Sequence, residues 1–214
     1  FPTANAIWSE YNNFSGTILK KQYAIFGDTS INNLNFHKLY EHQIICMDSS
    51  ISPTNATLIG ALYEDSLKRV YFYNMATNVP CLSTNTIYKI YDFSKQNLGD
   101  TIQFDANTIP FCYNFPYLTI SNIDSVLINN SYRKRFHFAE GEVWIEGIGS
   151  IRHLLSIITP IPTCSCITEL LCHKQNNIGY YQNPTFNYCF CNLGVDVQSL
   201  ENEELTIYPS PANN

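Results

Sequence analysis

Short segments in which apolar and polar residues alternate recur along the whole chain. They are rich in Ile, Val, Tyr, Phe and Thr, the residues that pack best on a pleated, half-buried surface. Alternation with a period of two places successive side chains on opposite faces of a strand, so each segment predicts a β-strand. The clearest segments are 56–64, 69–74, 86–93, 117–123 and 142–148.

Helical signals are weak by comparison. No window of about a dozen residues repeats its apolar positions with the period of an amphipathic helix. Only the segment 166–174, "CITELLCHK", is compatible with a short helical turn. We therefore expect an all-β fold with at most short helical turns, in which antiparallel sheets form a barrel-like structure or a sandwich.

Asn-Asn pairs separate several of the predicted strands, at 32–33, 129–130 and 176–177. Asparagine tolerates a positive φ better than other non-glycine residues do, and both central residues of a type I′ turn have a positive φ. Since strand-like residues flank each pair, the pairs predict two-residue β-hairpin turns.

Composition and charge narrow the classes of partner. The chain has 12 Lys and Arg against 18 Asp and Glu, which gives a formal net charge of −6. This balance argues against a basic face that could displace the counterions of a nucleic acid, so no nucleic-acid partner is expected. No apolar stretch approaches the roughly 20 residues that a spanning helix needs, so no transmembrane segment is expected either.

The segment 131–150 is the densest cluster of charged and aromatic residues. Glu140-Gly141 suits a two-residue hairpin loop, which would pair Ala139 with Glu142 and Arg135 with Glu146. Alternation then places one set of residues on a core-facing side: Tyr132, Phe136, Phe138, Val143 and Ile145. The other side would carry Arg133, Arg135, His137, Trp144 and Glu146.

Two interpretations of this second set are open. In the simpler one it is a solvated face, in which Arg135 and Glu146 form a cross-strand pair worth a fraction of a kcal/mol. In the other it is a ligand-binding patch, because an exposed Trp144 beside charged groups can stack on a sugar ring or hold a peptide. The patch requires that the Trp144 indole be exposed.

Eight cysteines indicate an oxidising compartment, where thiols pair. Their intervals do not match the Cys-x₂-Cys repeats of structural zinc sites, so disulfides are favoured over a metal. Besides Cys46, the disulfide candidates are Cys81, Cys112, Cys164, Cys166, Cys172, Cys189 and Cys191. Although spacing does not determine connectivity, we expect Cys172 to join the 189–191 pair and Cys81 to join Cys112.

Sequence motifs give little support to an enzyme. His-Glu-x-x-His, Gly-x-Ser-x-Gly and P-loop patterns are all missing from the chain. His137 and Glu140 would supply two metal ligands without a third. Gly147 and Gly149 suit a bulge or a close backbone approach better than a phosphate loop. We therefore predict no catalytic residue, no metal site and no cofactor, although a glycosidase-like carboxylate pair is compatible with the sequence.

The end of the chain, "LTIYPSPANN", follows an acidic stretch and begins an apolar segment that lacks partners. It resembles the start of the C-terminal sorting domain of type IX secretion substrates from Bacteroidetes, usually written Tyr-Pro-Asn-Pro-Ala, with Ser210 in place of the Asn. Segments between residues 23 and 178, such as "GDTSINNLNFHKLY" and "YKIYDFSKQNLGDTI", resemble a family of uncharacterised secreted proteins that carry this tail. The resemblance implies export through the outer-membrane secretion machinery, but no activity.

The expected organisation is therefore an all-β domain over 1–196, an acidic linker over 197–205 and the start of a sorting domain over 206–214. Residues 1–8 lack the features of a leader peptide, which predicts a leader already removed and a secreted or outer-surface location. The favoured function is a non-catalytic module that binds a glycan or a protein. The alternatives are a secreted hydrolase of polysaccharide or peptide and a carrier of a small apolar ligand.

Overall fold

The computed structural model describes residues 1–14, 17–44, 51–77, 82–104, 117–155, 167–176, 178–186 and 189. Within these residues it contains strands and turns, and no helix. The strands are β1 (Ala6–Phe14), β2 (Thr17–Ile31), β3 (Leu34–Ile44), β4 (Thr57–Glu64), β5 (Arg69–Asn74), β6 (Thr86–Asp92), β7 (Thr101–Gln103), β8 (Tyr117–Ile128), β9 (Ser131–Phe138), β10 (Val143–Ile145), β11 (Gly149–Ser150), β12 (Ile167–Gln175) and β13 (Ile178–Gln182).

The strands form two curled antiparallel sheets, which confirms the all-β prediction. The larger sheet has the order β13-β12-β1-β2-β3-β4-β5-β6, and the smaller has the order β11-β10-β9-β8-β7. Most neighbours are consecutive hairpins, but β12 pairs with β1 and so joins distant parts of the chain. The predicted strands 69–74 and 117–123 fall within β5 and β8, and the predicted strands 56–64 and 86–93 match β4 and β6 except for one residue at one end.

The asparagine turns are confirmed where the structure describes them. Asn32 and Asn33 have φ values of 51° and 63°, and Asn129 and Asn130 have φ values of 53° and 62°. Asn176 has a φ of 52°. These turns close the β2–β3, β8–β9 and β12–β13 hairpins, because the left-handed conformation matches the twist of the flanking strands.

Aromatic side chains fill the space between the two sheets. The buried ring of Tyr91, at the end of β6, lies 4.9 Å from the buried indole of Trp144 in β10, in an edge-to-face arrangement. Trp8 in β1 donates a hydrogen bond from Nε1 to the carbonyl oxygen of Ile148 at 2.8 Å. Each large ring contributes roughly 1.5–3 kcal/mol through burial, so these contacts hold the small sheet against the large one.

The segment 166–174, whose sequence is compatible with a short helical turn, instead forms part of strand β12 from Ile167 onward. Its residues 170–173 are all buried, so the alternation that marks a half-exposed strand is lost. A strand that lies between β1 and β13 and is covered on both faces has a continuous apolar run, which periodicity does not distinguish from a helix.

The hairpin between β9 and β10 also differs from its prediction, because its loop has three residues. Phe138 and Glu142 close the loop with a hydrogen bond from the Phe138 N–H to the Glu142 carbonyl oxygen at 2.9 Å. Gly141, the last loop residue, has a φ of 84°. The third residue shifts the register by one position, so Trp144 pairs with Phe136 instead of His137 and turns to the core.

The predicted linker at 197–205 and the predicted sorting-domain start at 206–214 lie outside the described residues. The division at residue 196 stays a prediction. Cys46, Cys81, Cys112, Cys164, Cys166 and Cys191 also lie outside the described residues, so the proposed Cys81–Cys112 pairing stays a prediction as well.

Candidate functional site

The surface predicted around Trp144 does not form as expected. Trp144 is fully buried, with its ring 4.6 Å from that of Phe138 and its exposed fraction 0%. The prediction that its indole is exposed is wrong, and the one-residue register shift is the physical reason. Glu146 is separated from Arg135 as well, since it forms an ion pair with Lys68 instead.

The exposed aromatic residue of this hairpin is Tyr132. It was expected in the core, but 76% of its surface is exposed, so that prediction is wrong. Tyr132 pairs across the strands with Leu127, which is itself 57% exposed. Both residues lie beside the Asn129-Asn130 turn, where the hairpin extends beyond the larger sheet's cover.

Arg133, Arg135 and His137 lie on one face of β9, as alternation predicted. Arg135 donates two hydrogen bonds to Asp124 on β8, from Nε to Oδ1 at 2.8 Å and from Nη2 to Oδ2 at 2.6 Å. His137 Nε2 lies 3.4 Å from Asp124 Oδ1. The bidentate guanidinium lowers the pKa of Asp124 to about 2. A ligand-binding role for Arg133, Arg135, His137 and Glu146 stays a prediction.

A cavity of about 590 Å³ lies where β8, β9 and β10 face the β12–β13 hairpin. We call it the Arg135 cavity. Its apolar lining includes Val126, Leu127, Ile128, Ile145, Ile151 and Pro184. Its polar lining includes Arg135, Arg152, Glu169, Tyr181, Gln182 and Asn183. Such a mixture of apolar surface and convergent polar groups is typical of small-molecule sites, and so is the volume.

The segment 151–155 brings Arg152 to the cavity. Its backbone is fixed from three sides: Leu170 N–H donates to the Ile151 carbonyl oxygen at 2.8 Å, and Tyr91 Oη donates to the Leu154 carbonyl oxygen at 2.5 Å. The Leu154 N–H in turn donates to Glu10 Oε1 at 2.6 Å. The segment therefore lies rigidly between the two sheets, and Arg152 is placed without a regular strand to carry it.

Arg152 has a loosely held counterion. Its Nε lies 3.4 Å from Oε1 of the nearly buried Glu142, and its Nη2 donates to the Gly141 carbonyl oxygen at 3.3 Å. Glu142 also accepts a 2.8 Å hydrogen bond from the Ser150 hydroxyl through Oε2. The Arg152 side chain is 43% exposed, so some of its N–H groups face the cavity or solvent.

The opposite side of the cavity comes from the β12–β13 hairpin and the residues after it. Asn183 donates from Nδ2 to Glu169 Oε2 and to the Leu170 carbonyl oxygen, both at 3.1 Å. Burial raises the pKa of Tyr181, the charge of Glu169 raises it further, and the charge of Arg135 lowers it. The phenol, the carboxylate and the guanidinium thus act on one another across the cavity.

Sequence reasoning found one residue of this cavity, Arg135, and missed Arg152, Glu169 and Tyr181. No recognisable motif surrounds these three residues in the sequence, and they lie on separate parts of the fold. Only the β1–β12 pairing, which joins the two ends of the domain, brings them near β9.

Two cysteines fall within the described residues, and they lie together. Cys172, buried in β12, has its Sγ 3.4 Å from the carbonyl oxygen of Cys189, and both thiols are free. Burial raises the pKa of the Cys172 thiol, and the neighbouring Cys189 thiol raises it further. Cys189 therefore lies beside β12, and the predicted disulfide between Cys172 and the 189–191 pair stays a prediction.

Within the described part of the chain, no group of three or more His, Cys, Asp or Glu side chains is placed to hold a metal ion. The described residues also contain no helix with the length and apolar character needed to cross a membrane.

Comparisons of the chain with models of protein families, with curated proteins and with solved structures found no match.

Proposed function

We propose that this protein is a non-catalytic binding module that holds a glycan in the Arg135 cavity. The observation that carries the proposal is the lining itself, in which amide, guanidinium, carboxylate and phenol groups converge over an apolar wall. A sugar ring is complementary to such a lining. Its hydroxyl groups form hydrogen bonds with planar polar side chains, and its C–H faces pack against apolar or aromatic side chains.

The two alternative functions are less well supported by this lining. Hydrolysis of a glycoside uses two carboxyl groups on either side of the scissile bond. Among the described residues that line the cavity, Glu169 is the one with a carboxylate side chain. Asp124 and Glu142 lie outside the lining, where Asp124 pairs with Arg135 and Glu142 pairs with Arg152. A carrier of an apolar ligand would need a lining with fewer polar side chains than the seven found here, which are the six named above and Thr185.

We also propose that the protein is exported and acts outside the cell, with the tail at 206–214 addressing it to the outer-membrane secretion machinery. The eight cysteines and the contact between Cys172 and Cys189 support an oxidising location. In that setting the two thiols would form a disulfide, their two electrons passing to a disulfide-donating oxidoreductase and their protons to solvent.

The experiment is a glycan-array screen, followed by calorimetric titration of the strongest ligand. Gln182→Ala removes a cavity amide, and we expect it to weaken binding by about tenfold, the value of one hydrogen bond to a ligand. Gln103→Ala is the matched control, since Gln103 lies exposed on β7 away from the cavity. Absence of any glycan ligand, equal losses in both variants, or turnover of the bound glycan would contradict the proposal.

A further inference from the structure

The charges around the Arg135 cavity are not evenly balanced. Arg135 is neutralised by the bidentate contact with Asp124, at 2.8 Å and 2.6 Å. Arg152 is paired more loosely, at 3.4 Å, with the nearly buried Glu142, which needs a counterion because an isolated carboxylate is costly to bury. Both guanidinium groups of the lining are therefore matched by carboxylates that stand behind them.

Among the described residues Glu169 has no such counterion. No cationic side chain of the described residues lies within ion-pair distance of it, and its hydrogen-bond donor is the neutral amide of Asn183, which contacts Oε2 at 3.1 Å. The second oxygen, Oε1, accepts no hydrogen bond from a described residue. Within the described residues, the charge of Glu169 is thus left without a cationic partner at the cavity wall, and its Oε1 can still accept a hydrogen bond.

Tyr181 lines the same wall of the cavity as Glu169. Its ring is half-buried, and its hydroxyl group is within the electrostatic influence of Glu169 and of Arg135, whose own charge is balanced by Asp124. An aromatic face beside an uncompensated carboxylate is the pair of groups that holds an ammonium ion, through cation–π attraction and a charge-assisted hydrogen bond.

We propose that the glycan bound in the Arg135 cavity carries a free amino group, whose ammonium lies between the carboxylate of Glu169 and the ring of Tyr181. This inference rests on the proposed glycan binding and names its chemical class, a sugar with an unsubstituted amine. An N-acetylated sugar of the same size lacks the charge and leaves Glu169 without a counterion. Specificity then comes from the amine, while the apolar wall and the cavity amides bind the rest of the ring.

The test compares two oligosaccharides of equal length, one of glucosamine and one of N-acetylglucosamine, by calorimetry at about pH 6, where the amine is protonated. We expect the glucosamine oligomer to bind on the order of tenfold more tightly, with an affinity that falls as salt is added. Glu169→Gln keeps an oxygen that can accept from Asn183 and should remove this preference. Glu41→Gln, which changes a carboxylate on β3 outside the cavity lining, is the control and should preserve it.

A second variant separates folding from binding. Tyr181→Leu keeps an apolar side chain but loses the aromatic face, and it should lower the affinity for the glucosamine oligomer by more than it lowers the affinity for the acetylated oligomer. Thermal unfolding of each variant identifies any loss that comes from the fold.

Equal binding of the two oligomers, or an unchanged preference in a folded Glu169→Gln variant, would overturn the amine inference and leave glycan binding standing. Failure of both oligomers and of every other glycan would overturn the proposed function itself. Binding of a lysine-rich peptide without either oligosaccharide would overturn both.

Discussion

Glu10 Oε1 accepts a hydrogen bond of 2.6 Å from the main-chain N–H of Leu154, and this contact ties strand β1 to the segment that carries Arg152. The carboxyl group is 1% exposed. The pKa of Glu10 is raised from the ordinary 4.5 to about 8, chiefly by burial and to a smaller extent by the charge of Glu41. The Leu154 N–H and the charge of Lys21 act in the opposite direction. Tyr23 on β2 also faces it. The folded protein therefore keeps a proton on Glu10 at neutral pH.

The contribution of Glu10 to the stability of the protein should consequently fall as pH rises. Since the pKa of Glu10 is higher in the folded state, the folded chain binds more protons between about pH 4.5 and pH 8. The stabilisation that protonated Glu10 contributes is fully present below about pH 4.5 and is lost as the pH rises through about 8. The free energy of unfolding should change from this cause by up to roughly 1.4 kcal/mol per pH unit.

Chemical denaturation across this pH range measures the effect. Glu10→Gln keeps an acceptor for the Leu154 N–H and has no proton to lose, so the variant should gain stability relative to the wild type as the pH rises from about 4.5 to about 8. Parallel pH profiles of the two proteins would contradict the assignment.

Gly149 is required by the ring of Tyr91. A Cβ at this position would lie 2.8 Å from the ring, and the residue has a φ of 102°. Gly149→Ala should therefore destabilise the fold by about 2–4 kcal/mol, from steric overlap together with an unfavourable backbone. Gly27→Ala is the control, because Gly27 has a φ of 71° with nothing within 4 Å of the added carbon. It should cost only about 1 kcal/mol, and equal losses would show that the Tyr91 contact is unimportant.

Trp144 is buried and Tyr132 is exposed, the reverse of what alternation predicted. Truncation of each side chain to alanine should reveal this difference as a difference in stability. Trp144→Ala should cost roughly 3–5 kcal/mol, since the fully buried indole leaves a large void. Tyr132→Ala should change stability by less than about 0.5 kcal/mol, since the ring is 76% exposed. Urea unfolding of both variants measures these values, and a larger loss for Tyr132 would favour the two-residue loop.

Cys172 and Cys189 should be linked in protein isolated from an oxidising compartment. Peptide mass mapping without reduction should recover the two residues in one cross-linked peptide. Cys172→Ser should then lower stability by about 2–4 kcal/mol, most of it from the lost constraint on the unfolded chain. Modification of both thiols by an alkylating reagent in the unreduced, denatured protein would exclude the disulfide.

The turns and most strands of this protein are determined locally, by its sequence. Asn32-Asn33 and Asn129-Asn130 form left-handed turns because asparagine tolerates a positive φ, and this preference needs no distant partner. The strands between them follow from alternating Ile, Val, Tyr and Phe side chains. The all-β class could therefore be predicted before any contact was known.

Tertiary structure decided the features on which the candidate site depends. Gly141 suits the end of a two-residue loop and of a three-residue loop equally, and only the packing of Trp144 against Tyr91 and Phe138 selects the longer one. The Arg135 cavity likewise requires the pairing of β1 with β12, because strand pairing between distant segments depends on the core they share and not on local preference.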